Sequence, residues 1–215
     1  MRSIILRLIS KKFLAAQLCQ PSGLFGKFIM ADALNKHNEK MNHFAVERLD
    51  IQPTDKVLDI GFGGGVTIEE MLKTIDTGKI DGIDFSQVMV EQAKQKFKSE
   101  IDSNKVSIEF GDVKQLSFVE NTFDKICTVN TIYFWNEPLA SLQEIKRVLK
   151  SGGKLVVGIR SADKMKELPV TQYNFRLYDP EAVRDLLVEA GFTNVSIDRR
   201  DRNLRLDYVM ITAHA

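Results

Sequence analysis

Short runs of apolar and β-branched residues alternate along this chain with longer stretches in which apolar positions return every third or fourth residue. The short runs Lys56 to Ile60, Lys79 to Phe85, Val106 to Phe110, Phe123 to Val129 and Leu155 to Ile159 read as strands buried on both faces. Between them, Ile68, Met71, Leu72 and Ile75 share one helical face, as do Val90, Ala93, Phe97 and Ile101, and then Leu139, Leu142, Ile145 and Leu149. Ser86 is placed to cap the second of these helices, and Gly152-Gly153 to end the third. Asp179-Pro180 to Gly191 predicts a further helix with an N-cap, a proline at its first position and a glycine at its end. Asn194 to Asp198 and Asp207 to Ala213, joined through Arg199 to Leu206, predict a terminal hairpin that makes the last strand antiparallel. Strand and helix in alternation give a mostly parallel sheet of the α/β class covered on both faces.

The first strand runs into Gly61-Phe62-Gly63-Gly64-Gly65, and glycines there let the backbone turn tightly and approach a ligand without Cβ obstruction. The second strand ends in Asp84, nineteen residues beyond Gly65, where a carboxylate can accept hydrogen bonds from both hydroxyls of a ribose. A nucleoside site follows, and it has two readings, a dinucleotide or S-adenosylmethionine. A dinucleotide fingerprint places its third glycine at position 66, where this chain has Val66. Asp59, two residues before the first glycine, sets a negative charge where a pyrophosphate would lie but suits the ammonium of S-adenosylmethionine.

Five segments in order resemble class I S-adenosylmethionine-dependent methyltransferases: Val57 to Gly65, Gly82 to Met89, Gly111-Asp112, Phe123 to Asn130, and Glu144 to Leu155. The D-x-S-x-x-M pattern at Asp84-Phe85-Ser86-Gln87-Val88-Met89 is most similar to the small-molecule enzymes of the ubiquinone and menaquinone biosynthesis type. The resemblance implies a Rossmann-like seven-stranded sheet with an antiparallel last strand and helices on both faces, to which the residue pattern of the N-terminal segment adds a helical lid. It assigns Asp112 to the adenine amino group and Val113 to a backbone contact with the same base. The full candidate cofactor set is Asp59, Gly61, Phe62, Gly63, Gly65, Asp84, Phe85, Asp112, Val113 and Asn130. The implied cofactor is S-adenosyl-L-methionine, with S-adenosyl-L-homocysteine as product and no metal. The competing functions are a noncatalytic S-adenosylmethionine-binding protein and a nicotinamide-dependent oxidoreductase; the terminal hairpin tells against the second.

Composition narrows the partners. Thirty Lys and Arg against 29 Asp and Glu leave a formal net charge of +1, which lacks the footprint of a phosphate-backbone binder, so no nucleic acid partner is expected. At 215 residues with 44% apolar content the chain suits one sizeable core plus an added segment. We divide it into a capping segment, residues 1–50, and a cofactor domain, residues 51–215. Cys19 and Cys127 form no C-x-x-C pattern and are expected to be buried thiols in a reducing, cytoplasmic setting. No apolar run approaches the roughly eighteen residues of a membrane-spanning helix.

Substrate choice is expected from the segments outside the nucleoside core. Residues 1–31 carry Arg2, Arg7, Lys11, Lys12 and Lys27 without an acid, and Leu6, Ile9 and Phe13 share a helical face. A lid helix, a transient membrane-surface contact and a targeting peptide compete there, and the lid is favoured because no small-residue cleavage site follows an apolar core. In the helix from about Ala33 to Leu49, Lys36, Glu39, Lys40, His43 and Glu47 form the charged side. His37, Asn38, Met41, Asn42 and Phe44 face inward. Met165, Leu168, Tyr173, Phe175 and Tyr178 are candidate pocket walls. Asn130, Thr131 and Tyr133 stand at the end of the fourth strand where some enzymes of this fold carry an acid, which tells against amino-adenine or guanidino substrates. Tyr133 and His37 are the candidate bases for a small-molecule acceptor whose identity, like the oligomeric state, the sequence leaves open.

Overall fold

The computed structural model describes residues 10–26, 31–200 and 208–215, with side chains in the long N-terminal helix from Asn38 onward. The positions Leu6, Ile9 and Lys27, the side chain of His37 and the hairpin connection 201–207 lie outside that description. Seven strands, β1 (Lys56–Ile60), β2 (Lys79–Asp84), β3 (Val106–Phe110), β4 (Phe123–Val129), β5 (Leu149–Ile159), β6 (Thr193–Arg200) and β7 (Tyr208–His214), form one sheet in the order β3-β2-β1-β4-β5-β7-β6. The first five are parallel, and β7 pairs antiparallel with both β5 and β6. The expected sheet and its reversed last strand are therefore present.

Alternation along each strand sends side chains into two cores. Leu58, Ile126, Leu155 and Val157 join one cluster with Leu142, Ile145, Val183 and Leu187, from helices Pro138–Val148 and Pro180–Glu189. Val57, Cys127 and Val156 join the other with Met41 and Phe44 of α2 (Ala31–Leu49), Ile68 and Met71 of α3 (Val66–Leu72), and Met89 and Val90 of α4 (Gln87–Lys96). Asp59 has the parity of Val57 and so points toward α3. Before α2 lies α1 (Lys11–Cys19), capped by Ser10, whose hydroxyl accepts from the Phe13 N–H at 3.2 Å. Met41, Phe44, Ala45 and Leu49 are buried while Glu39, Lys40, His43 and Glu47 are exposed, so the two faces of α2 lie as its periodicity predicts. Among the described residues no helix is long and apolar enough to cross a membrane.

Several local expectations are corrected. Gly152-Gly153 does not end the preceding helix, because Leu149 is already extended and β5 begins there; Gly152 N–H donates to Ala215 and Ala215 N–H to Gly153, pairing this bend with the C-terminus. The helix after Ser86 breaks at Phe97, where the backbone leaves helical geometry, and resumes as Lys98–Asp102. Asp179 precedes Pro180 as expected but its side chain makes no capping bond. Cys127 is buried, whereas Cys19 is exposed at the end of α1.

Candidate functional site

The strand order reverses between β1 and β4, and in open parallel sheets the crevice at the carboxyl ends of the strands beside such a switch point takes ligands. A cavity of about 660 Å³ opens there. Its floor is the glycine turn. Gly61 has φ 73 and its N–H donates to Ile83 at 2.8 Å, which ties the turn to β2; a Cβ at this position would stand 2.4 Å from Thr131 Cγ2. Gly63 has φ 52 with no atom within 4 Å of where its Cβ would lie, so bare backbone faces the cavity. Gly65 is not in the lining; it is the left-handed N-cap of α3, and a Cβ there would stand 2.7 Å from the Phe97 ring. Its glycine is required by packing.

Asp84 closes the next strand with both oxygens engaged: Oδ2 accepts from Gly63 N–H at 2.9 Å and Oδ1 from Ser86 N–H at 2.8 Å. Each carboxylate oxygen keeps a second lone pair for a ligand hydroxyl. Burial pushes the Asp84 pKa up, and the two N–H donors oppose that shift. Ser86 caps α4 as expected, its hydroxyl accepting from Met89 N–H at 3.3 Å and donating to the Pro21 carbonyl at 2.5 Å. Asp59 is 1% exposed, and its carboxyl is pushed up to about 7, chiefly by burial and also by the nearby charge of Asp84, against the lowering effect of its Thr67 hydrogen bond. Thr67 was not legible as a site residue in the sequence; its signal is a hydroxyl on the first turn of the helix that follows the glycines.

Of the remaining cofactor candidates, Phe62, Phe85, Asp112, Val113 and Asn130 all line the cavity. Phe85 is 51% exposed and stacks on Phe110 with centroids 5.6 Å apart. Asp112 is exposed, and its Oδ1 accepts from Lys114 N–H at 2.9 Å. Asn130 has φ 58, a left-handed turn that takes the chain off the end of β4. Leu18, Cys19 and Pro21 of the N-terminal segment line the same cavity, and Gln20 donates to the Phe85 carbonyl at 2.8 Å.

Tyr133 does not line the cavity. Its hydroxyl accepts from the Arg160 N–H at 2.6 Å and lies 3.2 Å from the Arg160 carbonyl, inside a side chain that is 3% exposed. The phenol thus holds the ends of two strands together. The expected aromatic walls are also relocated. Met165 and Tyr178 are buried in the core, Leu168 and Phe175 pack against it, and Asn174 is the residue of that segment that reaches the cavity. Phe134 and Trp135 both pack in the core region and contribute to the lining. His43 is exposed beside Glu70 at 3.4 Å, away from the cavity.

Comparison with known proteins gives a consistent set of relatives. Residues 58–157 match the family model of a methyltransferase domain. The uncharacterized methyltransferase YdaC of Bacillus subtilis is 30% identical over 160 residues, covering 74% of this chain and 83% of that protein. The ubiquinone/menaquinone biosynthesis C-methyltransferase UbiE of Geotalea daltonii is 32% identical over 115 residues, 53% of this chain and 49% of that protein. The chain likewise spans 45%, 60% and 49% of the length of three other curated relatives. Among solved structures, a SAM-dependent methyltransferase from Aquifex aeolicus superposes with a TM-score of 0.72 at 21% identity, over 86% of this chain and 97% of that one. The cyclase SpnF superposes with a TM-score of 0.70 at 20% identity, over 83% and 82%. A fold shared with a cyclase does not by itself specify methyl transfer.

Proposed function

The chain belongs to the class I S-adenosylmethionine-dependent methyltransferase family, and on that premise we propose that it methylates a small-molecule acceptor at this cavity. The observation that carries the reading is the pairing of a bare glycine backbone at Gly61 and Gly63 with the Asp84 carboxylate across one cavity. Asp84 would hold the ribose hydroxyls, Asp59 the ammonium directly or through water, and Asp112 and Val113 the adenine. Bound S-adenosylmethionine supplies an electrophilic methyl group, which an acceptor takes by in-line displacement to leave S-adenosylhomocysteine. The protein's part is to position the acceptor and exclude water, and well-oriented reactants gain about 7 to 11 kcal/mol from such pre-organisation. The Tyr133 hydroxyl is turned onto the Arg160 backbone, so of the two candidate bases we favour His37, whose side chain lies outside the described residues. Incubation with S-adenosylmethionine and a panel of lipophilic small molecules should yield S-adenosylhomocysteine with at least one acceptor. Binding of the cofactor with no turnover across the panel would favour a noncatalytic binder.

Asp59 makes cofactor binding depend on pH. An acid whose pKa is about 7 in the free protein is largely protonated at pH 6, and an ammonium brought beside it favours the ionised form. Binding then expels a proton, so affinity for S-adenosylhomocysteine should rise from pH 5 to about pH 7 and flatten above. Calorimetry in two buffers of different ionisation enthalpy should register proton release near pH 6, and Asp59→Asn should abolish it. A flat affinity across this range in the wild-type protein would remove Asp59 from the ammonium site.

Helix α1 and the loop after it act as a lid in this reading. Gln17 ties back the loop, donating to Ser22 Oγ at 2.9 Å and accepting from Ser22 N–H at 3.0 Å, while Gln20 and Pro21 bond to the chain just after Asp84. Protein lacking residues 1–22 should release S-adenosylhomocysteine several-fold faster than the full chain. An unchanged dissociation rate would reduce the segment to a packing element.

A further inference from the structure

Four residues from three parts of the chain close a hydrogen-bonded ring beside the cavity. Arg160 Nη2 donates to Asn38 Oδ1 at 3.1 Å, and Asn130 Nδ2 donates to the same oxygen at 3.2 Å. Asn130 Oδ1 faces the Tyr133 hydroxyl at 3.4 Å, and that hydroxyl in turn accepts from Arg160 N–H at 2.6 Å. The polarity of the ring follows from its fixed members. A guanidinium has donors only, so the Asn38 atom against it must be the carbonyl oxygen. The Asn130 atom that meets this oxygen must then be its NH2, which leaves the Asn130 oxygen toward Tyr133. Asn38 lines the cavity, and with its oxygen doubly bonded the polar group it has left to offer there is its NH2.

Among the described residues, the carboxylates of the lining already hold other partners. Asp59 is bonded to Thr67, Asp84 to two backbone N–H groups, Asp112 to Lys114 N–H, and Glu137 to the Lys114 ammonium at the mouth. An amine would meet an oriented donor at Asn38 where its own N–H groups need an acceptor. An acidic phenol or enol ionises unaided and presents an acceptor to that donor. We infer that the Asn38 amide, locked by Arg160, selects a methyl acceptor carrying an oxygen anion of the phenolate or enolate type. Asn38 is thereby a specificity-determining residue and Arg160 a positioning residue acting through it. This rests on the methyltransferase reading given above.

The test uses an isosteric pair, 4-nitrophenolate and 4-nitroaniline, titrated near pH 8 into the full chain saturated with S-adenosylhomocysteine. The phenolate should bind about 10- to 100-fold more tightly, the difference expected of a hydrogen bond to a charged group. In Asn38→Asp, where a carboxylate replaces the donor, that preference should vanish or invert, whereas a merely structural role would weaken both ligands alike. Equal binding of the two by the wild-type protein, preference for the aniline, or binding of neither overturns the inference while leaving cofactor binding intact. Failure of S-adenosylhomocysteine itself to bind would strike the methyltransferase reading and this inference with it.

Discussion

Asp84→Ala should weaken S-adenosylhomocysteine binding by at least about 10- to 100-fold, as judged by calorimetric titration. Hydrogen bonds to a charged group contribute about 1.5 to 3 kcal/mol, and this carboxylate would accept two from the ribose. It does a second job in the same place. Its Oδ2 accepts from Gly63 N–H and its Oδ1 from Ser86 N–H, so its loss also frees the glycine turn and the start of α4. Asp84→Asn should therefore recover little, because an amide has one accepting oxygen and would set its NH2 against the other backbone donor. Unchanged affinity in Asp84→Ala would sink the ribose assignment.

Gly61→Ala should cost both stability and cofactor affinity. With φ 73 the position lies in the left-handed region, where a Cβ costs roughly 1 to 2 kcal/mol. That Cβ would also stand 2.4 Å from Thr131 Cγ2, and overpacking of this kind costs about 1 to 3 kcal/mol more. The loss should read as a lowered urea midpoint, on the order of 2 to 5 kcal/mol in all. Thr131→Ser removes the offending methyl and keeps the hydroxyl that meets Thr128, so adding it to Gly61→Ala should return the steric part and not the backbone part. A double variant no more stable than Gly61→Ala would show that the two residues are not coupled through this contact.

The sheet was legible because its signals are local. Each parallel strand announces itself as a short apolar run, and the glycine turn and Asp84 stand at fixed offsets from two of those runs. What failed to read was side-chain direction after a strand ends. Tyr133 follows β4 by four residues, but Asn130 takes a left-handed φ of 58, a turn follows, and the phenol arrives at Arg160 rather than in the cavity. Asn174, also at φ 58, comes to the cavity from a segment whose aromatic residues looked the better wall, while Tyr178 and Met165 went to the core. Gly152-Gly153 misled for a different reason. Its bend is fixed by pairing with Ala215, more than sixty residues away in sequence, which no local pattern encodes. Asn38 fell between these cases: the helical period placed it inward, and only its contact with Arg160 set which end of its amide faces the cavity.

The central claim is that the Gly61 to Asp84 cavity holds S-adenosylmethionine and not a dinucleotide. Calorimetric titration of the purified chain with S-adenosylhomocysteine, beside the oxidised and reduced nicotinamide dinucleotides, tests it most directly. The account predicts micromolar binding of S-adenosylhomocysteine and none of either dinucleotide; binding of a dinucleotide with no response to S-adenosylhomocysteine would contradict it.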